Sequence, residues 1–316
     1  MLAIEDFPDR HPSLTGREPI AVIVKDMNAV ERADQDVRGF EGSGSAWRAR
    51  SLVVLGDSTA VGIGDPLPGG GWRGVGPLLA EALGGNEIRY TNLSFIGARM
   101  ACVRERQLAA AVRSRPDVAL LLVGMNDTLR SNFDPAGMRA DLEHVLSSLA
   151  AVGTVVVTVR FHDHGKIFRI PGPLRRALRQ RITALNAVID AAAARHGARC
   201  VDIDLLPGAY DLRLWSVDRL HPSELGHRVL AEAFTELLAD EGCLIPYPVS
   251  LVCSGGREVS TVGHLGWLVA RGIPWLVRRS RDLLPYVALI LLRWALGLET
   301  EESPGHGAIQ PTWGNV

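Results

Sequence analysis

The sequence predicts a doubly wound α/β domain built on a five-stranded parallel sheet. Three observations carry that prediction. Five short runs rich in apolar and β-branched residues recur between residues 51 and 203, separated by helical patterns. The first run, Leu52-Val53-Val54-Leu55, is unbroken, as in a strand covered on both faces. It ends abruptly in Gly56-Asp57-Ser58, where such a sheet opens its ligand crevice.

Residues 52–55 make the first strand, and Gly56 lets the backbone turn sharply after it. A glycine-rich loop over 62–71 leads to a helix over 72–83, with Leu78, Leu79 and Leu83 on one face. Residues 87–93 form the second strand, which runs into Asn92-Leu93-Ser94-Phe95-Ile96-Gly97. A helix over 104–113 is stopped by Pro116. The third strand, 117–123, passes straight into Gly124-Met125-Asn126-Asp127. A helix over 135–151 opens on Pro135, as first turns favour, and Gly153 ends it. The fourth strand covers 154–159, a polar loop 160–173, a long helix 174–196 and the fifth strand 199–203. A further loop carries the chain through Asp218-Arg219-Leu220-His221 to a last helix over 223–240. Parallel strands joined in this way need right-handed crossovers, which put helices on both faces.

The expected boundaries are 1–48 for an irregular amino-terminal segment and linker, 49–245 for the α/β domain, 246–298 for a helical C-terminal extension and 299–316 for a disordered tail. In the first segment only the apolar run at 20–24 suggests a strand. The extension carries Trp267, Trp275, Trp294 and the basic cluster Arg278, Arg279 and Arg281. Its longest uncharged helical run, 283–292, is ten residues and contains Pro285, whereas a bilayer span needs about 20. Helices packed back on the domain are the preferred reading, and peripheral membrane contact through residues 262–298 is the alternative. Residues 1–18 show no apolar signal-peptide core, so a cytoplasmic location is expected, with membrane association as the variant.

Hydrophobic residues are 47% of the chain, charged residues 22%, and the net charge is −1, a balance with no pointer to nucleic acid. Cys102, Cys200, Cys243 and Cys253 lack CxxC spacing and read as mostly buried free thiols. Gly69-Gly70-Gly71 lacks the lysine of a phosphate-binding loop. His162-Asp163-His164 offers too few ligands for a metal, and no metal or cofactor is expected. Arg175, Arg176, Arg179 and Arg181 read as a solvated helix face, and His227 as structural.

The chemistry-bearing residues fall at one edge of the sheet. Ser58 follows the first strand, Gly97 the second and Asn126 the third, and Asp218 and His221 precede the last helix. A serine hydroxyl needs a base to become a nucleophile, and an imidazole titrates in the right range. Asp218, three residues before His221, is placed to hold the other ring nitrogen. The Ser58 N–H, the Gly97 N–H and the Asn126 amide are three donors for an oxyanion. Asp57, Asn92 and Asp127 read as supports for these loops.

Gly56-Asp57-Ser58, Gly97, Gly124-Met125-Asn126-Asp127 and Asp218-Arg219-Leu220-His221 resemble, in order and spacing, the four signature blocks of the SGNH/GDSL hydrolase family of GDSL-like lipases and acylhydrolases. The resemblance covers roughly residues 50–242. It implies a flavodoxin-like three-layer α/β/α sandwich, the SGNH hydrolase fold, with serine esterase or lipase chemistry and no metal. Carried over by position, it implies Ser58 as nucleophile, His221 as base, Asp218 as its orienting partner, and Ser58, Gly97 and Asn126 as the oxyanion hole. Gly-Asp-Ser-Thr departs from many lipase-like members, which leaves the substrate class open. The expectation is a serine ester hydrolase acting on a small-molecule ester, an acylated lipid or carbohydrate. One rival is an acyltransferase using the same residues on a sugar or lipid hydroxyl. The other is a catalytically silent carbohydrate- or lipid-binding module, against which the intact Ser58, Asp218 and His221 speak.

Overall fold

The structure, a computed structural model, describes residues 46–167 and 170–254, together with 287, 288, 290–292, 294 and 296. Residues 1–45 lie outside the described residues, including the strand expected at 20–24. Most of the 262–298 segment and the 299–316 tail lie outside them too, so the packing and membrane-surface readings fall there. Among the described residues, no helix is long and apolar enough to cross a membrane.

Five strands form one parallel sheet in the order β2-β1-β3-β4-β5. They are β1 (Ser51–Gly56), β2 (Arg89–Asn92), β3 (Val118–Leu122), β4 (Val155–Arg160) and β5 (Arg199–Asp202). The helices are α1 (Ser58–Val61), α2 (Val75–Gly84), α3 (Met100–Cys102), α4 (Leu108–Ser114), α5 (Met125–Thr128), α6 (Pro135–Ala150), α7 (Gly172–His196) and α8 (Glu224–Asp240). A π-helical segment, Val103–Gln107, joins α3 to α4.

The strand alternation divides the core in two. Leu52, Val54, Leu120 and Leu122 pack with α2 and α8 on one face of the sheet. Val53, Leu55, Ala119 and Leu121 pack with α4, α6 and α7 on the other. Both faces of β1 and β3 are therefore dry, and this is why their sequences show no polar alternation. The expected α/β/α architecture is the one observed. β2 is an edge strand, with Arg89, Thr91 and Asn92 exposed, which accounts for its mixed sequence.

Several ends shift. The helix expected over 72–83 starts only at Val75, because Gly74 crosses Gly62 so closely that a Cβ on Gly74 would lie 2.2 Å from Gly62 Cα. The helix expected over 104–113 begins at Met100 instead. Residues Gly85–Glu87 form a 3₁₀ turn, which shortens the second strand. The two flanks of the domain meet: Trp47 bridges to Cys243, and its indole N–H donates to the Glu241 carbonyl at 2.9 Å. All four cysteines are free thiols, but only Cys243 is buried and Cys253 is exposed, a correction to the expected burial.

β1 lies between β2 and β3, so the chain leaves it in one direction and returns on the other side. The crevice of a parallel sheet sits at the carboxyl ends beside such a reversal.

Candidate active site

The site begins with a sharp bend. Gly56 has φ 136, and a Cβ there would lie 1.9 Å from the Leu122 carbonyl oxygen, so only glycine fits between β1 and β3. Asp57 donates its N–H to that carbonyl at 3.0 Å. Its side chain then caps α1 by accepting the Thr59 N–H at 3.0 Å. Ser58 is thereby held at the first position of the helix and is buried, as are Asp57 and Asn126.

The other strand ends close around it. Asn126, in α5 after β3, donates its Nδ2 to Asp57 Oδ2 at 3.3 Å and to the Ala98 carbonyl at 3.1 Å. One amide thus ties the ends of β1 and β3 to the loop that follows β2. Gly97 sits in that loop at φ 81, in a turn closed by Ala98 N–H donating to Phe95 O at 3.2 Å. Asp127 accepts the Met100 N–H at 3.2 Å, and Asn92 donates to the Ala60 carbonyl at 3.0 Å and accepts the Ser94 N–H at 3.0 Å. Burial pushes both Asp57 and Asp127 up to about 6, against the hydrogen bonds that favour their charged forms.

The loop before α8 brings the remaining groups. Ser216 N–H donates to the His221 carbonyl at 2.8 Å, and Arg219 takes a left-handed φ of 60 at the bend. Asp218 Oδ1 accepts from Ser216 Oγ at 2.6 Å, Leu220 N–H at 2.9 Å and His221 N–H at 3.0 Å. Its Oδ2 lies 2.6 Å from His221 Nδ1, and His221 Nε2 lies 2.7 Å from Ser58 Oγ. Burial alone would raise the Asp218 carboxyl. The hydrogen bond and charge of the His221 ring, with the Ser216 hydroxyl and the backbone, outweigh it and hold the group at about 2. Ser223 caps α8 two residues later by accepting the Gly226 N–H, which fixes where the His221 loop ends.

A cavity of about 40 Å³ opens beside Ser58 and His221. Asp57 and Asn126 line it; Gly97 does not. Much of the wall is apolar, including Leu122, Val159, Ile203 and Leu230, and His162, His164 and Trp215 also line it. Asp163 accepts the Gly165 N–H and pairs with Arg179. Among the described residues, no group of three or more His, Cys, Asp or Glu side chains could hold a metal ion.

One residue at the site escaped the sequence reading. Gln107, 1% exposed at the end of the π-helical segment, accepts the Gly56 N–H at 2.8 Å and donates to the Gly56 carbonyl at 2.9 Å. It satisfies both backbone groups of the residue that makes the bend. A signal existed: Gln107 continues the stripe of Met100 and Val103 toward Ala111, a polar side chain on a buried face. Gln107→Leu is expected to cost about 1–3 kcal/mol in denaturant unfolding, since the buried Gly56 N–H loses its acceptor while the Gly56 carbonyl keeps the Phe95 N–H at 3.3 Å. In ester kinetics it should lower kcat more than it raises KM, and an unchanged kcat would remove Gln107 from the site's support.

Two further expectations also resolve. Arg181 leaves the solvated face expected of it and donates to the carbonyls of Thr128 and Arg130, bracing the loop after α5. His227 is fully buried and its Nε2 donates to the Ile63 carbonyl at 3.0 Å.

The model of the GDSL-like Lipase/Acylhydrolase family matches residues 54–229. Among solved structures, the chain is similar to an alpha/beta hydrolase enzyme from the metagenome of Lake Arreo, Spain. That match has 24% identity and a TM-score of 0.50, and covers 62% of this chain and 98% of the other. It is also similar to the lipase/acylhydrolase from Enterococcus faecalis, at 21% identity, TM-score 0.46, and 61% and 96% coverage. A catalytic mutant of an acetylxylan esterase from Geobacillus stearothermophilus matches at 19% identity, TM-score 0.49, and 67% and 100% coverage. No curated protein matches the chain. The family model spans more than half of the sequence and takes in every strand end described above, and the chain belongs to the GDSL-like lipase/acylhydrolase family.

Proposed function

We propose that the protein is a serine esterase that hydrolyses short-chain carboxylic esters through an acyl-enzyme on Ser58. The observation that carries this reading is the unbroken line from Ser58 Oγ to His221 Nε2 at 2.7 Å and from His221 Nδ1 to Asp218 Oδ2 at 2.6 Å. With Asp218 ionised, the ring proton stays on Nδ1 and Nε2 is left to accept from the serine.

In the first half-reaction the Ser58 proton passes to His221 Nε2 as Oγ bonds to the ester carbonyl carbon. The carbonyl π electrons move to oxygen, and the Ser58 N–H and Asn126 amide at the cavity donate to that oxyanion, with the Gly97 N–H of the loop after β2 as the third candidate donor. Asn126 exchanges an existing acceptor for it, and the 3.3 Å contact to Asp57 is the weaker of the two. Collapse breaks the bond to the alcohol oxygen, which takes the proton from His221. Water then repeats the sequence on the acyl-enzyme, releasing the acid and restoring Ser58.

Cavity size supports a short acyl group. About 40 Å³ beside the nucleophile is room for an acetyl-sized group. With p-nitrophenyl esters, kcat/KM is expected to peak at acetate to butyrate and fall by about tenfold or more at octanoate. A protein that cleaves none of these esters, and whose Ser58 does not react with a fluorophosphonate, would sink the reading.

A further inference from the structure

His162 sits at the wall of the Ser58 cavity, 1% exposed, and neither of its ring nitrogens has a hydrogen-bonding partner among the described residues. The ring packs against two aromatic side chains. Its centroid lies 4.0 Å from that of His164 and 4.4 Å from that of Trp215. Burying a polar atom without a partner is unfavourable, so two such atoms on one side chain need a reason.

We propose that His162 is a substrate-binding residue that selects esters carrying a free hydroxyl group close to the scissile bond. The inference rests on the esterase reading above and names the substrate class of the same site.

Charge comes first. Burial, reinforced by the neighbouring His164 and Lys166, pushes the ring down to about 2, so it is neutral at pH 7. A neutral imidazole presents one N–H donor and one bare nitrogen acceptor. An ester offers only acceptor oxygens. It can satisfy the N–H, but the bare nitrogen needs a donor that an ester of a simple alcohol lacks. A hydroxyl supplies that donor. The apolar walls formed by Leu122, Val159 and Leu230 disfavour the other common donor, a charged ammonium. The hydroxyl comes from a polyol alcohol or from a hydroxylated acyl group, and both present the same chemistry to the ring.

Three acyl esters separate the outcomes: ethyl acetate with no hydroxyl, glyceryl monoacetate with hydroxyls on the alcohol, and ethyl glycolate with one on the acyl group. Wild type is compared with His162→Phe, which keeps the stacked ring and removes both nitrogens. The substitution is expected to lower kcat/KM for one hydroxylated ester by on the order of 10- to 100-fold. The affected ester assigns the hydroxyl to its side, and ethyl acetate, which meets only the ring N–H, should lose at most about a third as much. The same variant is expected to melt about 2–4 °C higher, because two unpartnered buried atoms are gone. A purely structural histidine would give the opposite shift. An equal loss on all three esters, or no loss on any, overturns the proposal. If His162→Phe does not fold by circular dichroism, His162→Leu removes the same nitrogens and is read in the same way. Wild-type protein that hydrolyses none of the three defeats the esterase reading itself, an outcome distinct from an active enzyme indifferent to His162.

Discussion

Ser58→Ala is expected to lower kcat for p-nitrophenyl acetate by about 10⁴-fold or more, with KM little changed. The hydroxyl is the one group within hydrogen-bond reach of His221 Nε2 among the contacts described, at 2.7 Å. Removing it leaves the base with no proton to take and the ester with no attacking oxygen. What remains is the oxyanion donors and binding, which act on water poorly. The fold should hold. Ser58 begins a helix whose cap is the Asp57 side chain, and alanine suits a helix interior well. The melting temperature is therefore expected to stay within about 3 °C of wild type. Steady-state kinetics on freshly purified protein, with fluorophosphonate labelling as a second readout, checks this. Residual activity above about one per cent of wild type would move the nucleophile elsewhere.

Asp218→Asn should reduce kcat by about 10³- to 10⁴-fold while leaving the fold intact. Three donors converge on Oδ1, from Ser216, Leu220 and His221, and one ring nitrogen faces Oδ2. Asparagine has one acceptor oxygen to offer. Turned toward the three donors, it presents its NH₂ to the His221 ring, and Nδ1 must then accept. The ring proton moves to Nε2, where it blocks acceptance from Ser58. Turned the other way, NH₂ meets three donors in a partly buried loop, which is the costlier arrangement. The first orientation wins, and the wrong tautomer follows. Nitrogen NMR of the histidine ring reads that tautomer directly. A loss of less than tenfold with an unchanged ring signal would defeat this account. The carboxylate also links stability to acid. Its folded value, about 2, lies below the ordinary 3.8, so its contribution is present above that value and is lost as pH falls toward 2.

The parts of the fold that were legible are those where one physical rule dominates. Leu52 to Leu55 and Val118 to Leu122 are buried on both faces, and only an unbroken apolar run satisfies that. The edge strand Arg89–Asn92 was less clearly bounded, since solvent on its outer side removes the pressure on composition. Gly74 was read as part of a helix because nothing local reveals that another backbone stretch, at Gly62, presses against it. Ser58, Asp218 and His221 stood out as residue types at predicted strand and loop ends. Gln107 did not, because its value lies in meeting Gly56, a partner 51 positions away.

The sequence by itself determined the alternation of strands and helices, the glycine that permits the bend at residue 56, and the polar residues that close each crevice-facing segment. These are local properties, set by burial periodicity and by which residues tolerate a sharp turn. Only the tertiary structure decided that the Asn126 amide joins three loops, that Gln107 secures Gly56, and that His162 is sealed at the cavity wall with its nitrogens unmet. Each of those depends on distances between segments far apart in the chain, and on water being excluded from the space they enclose.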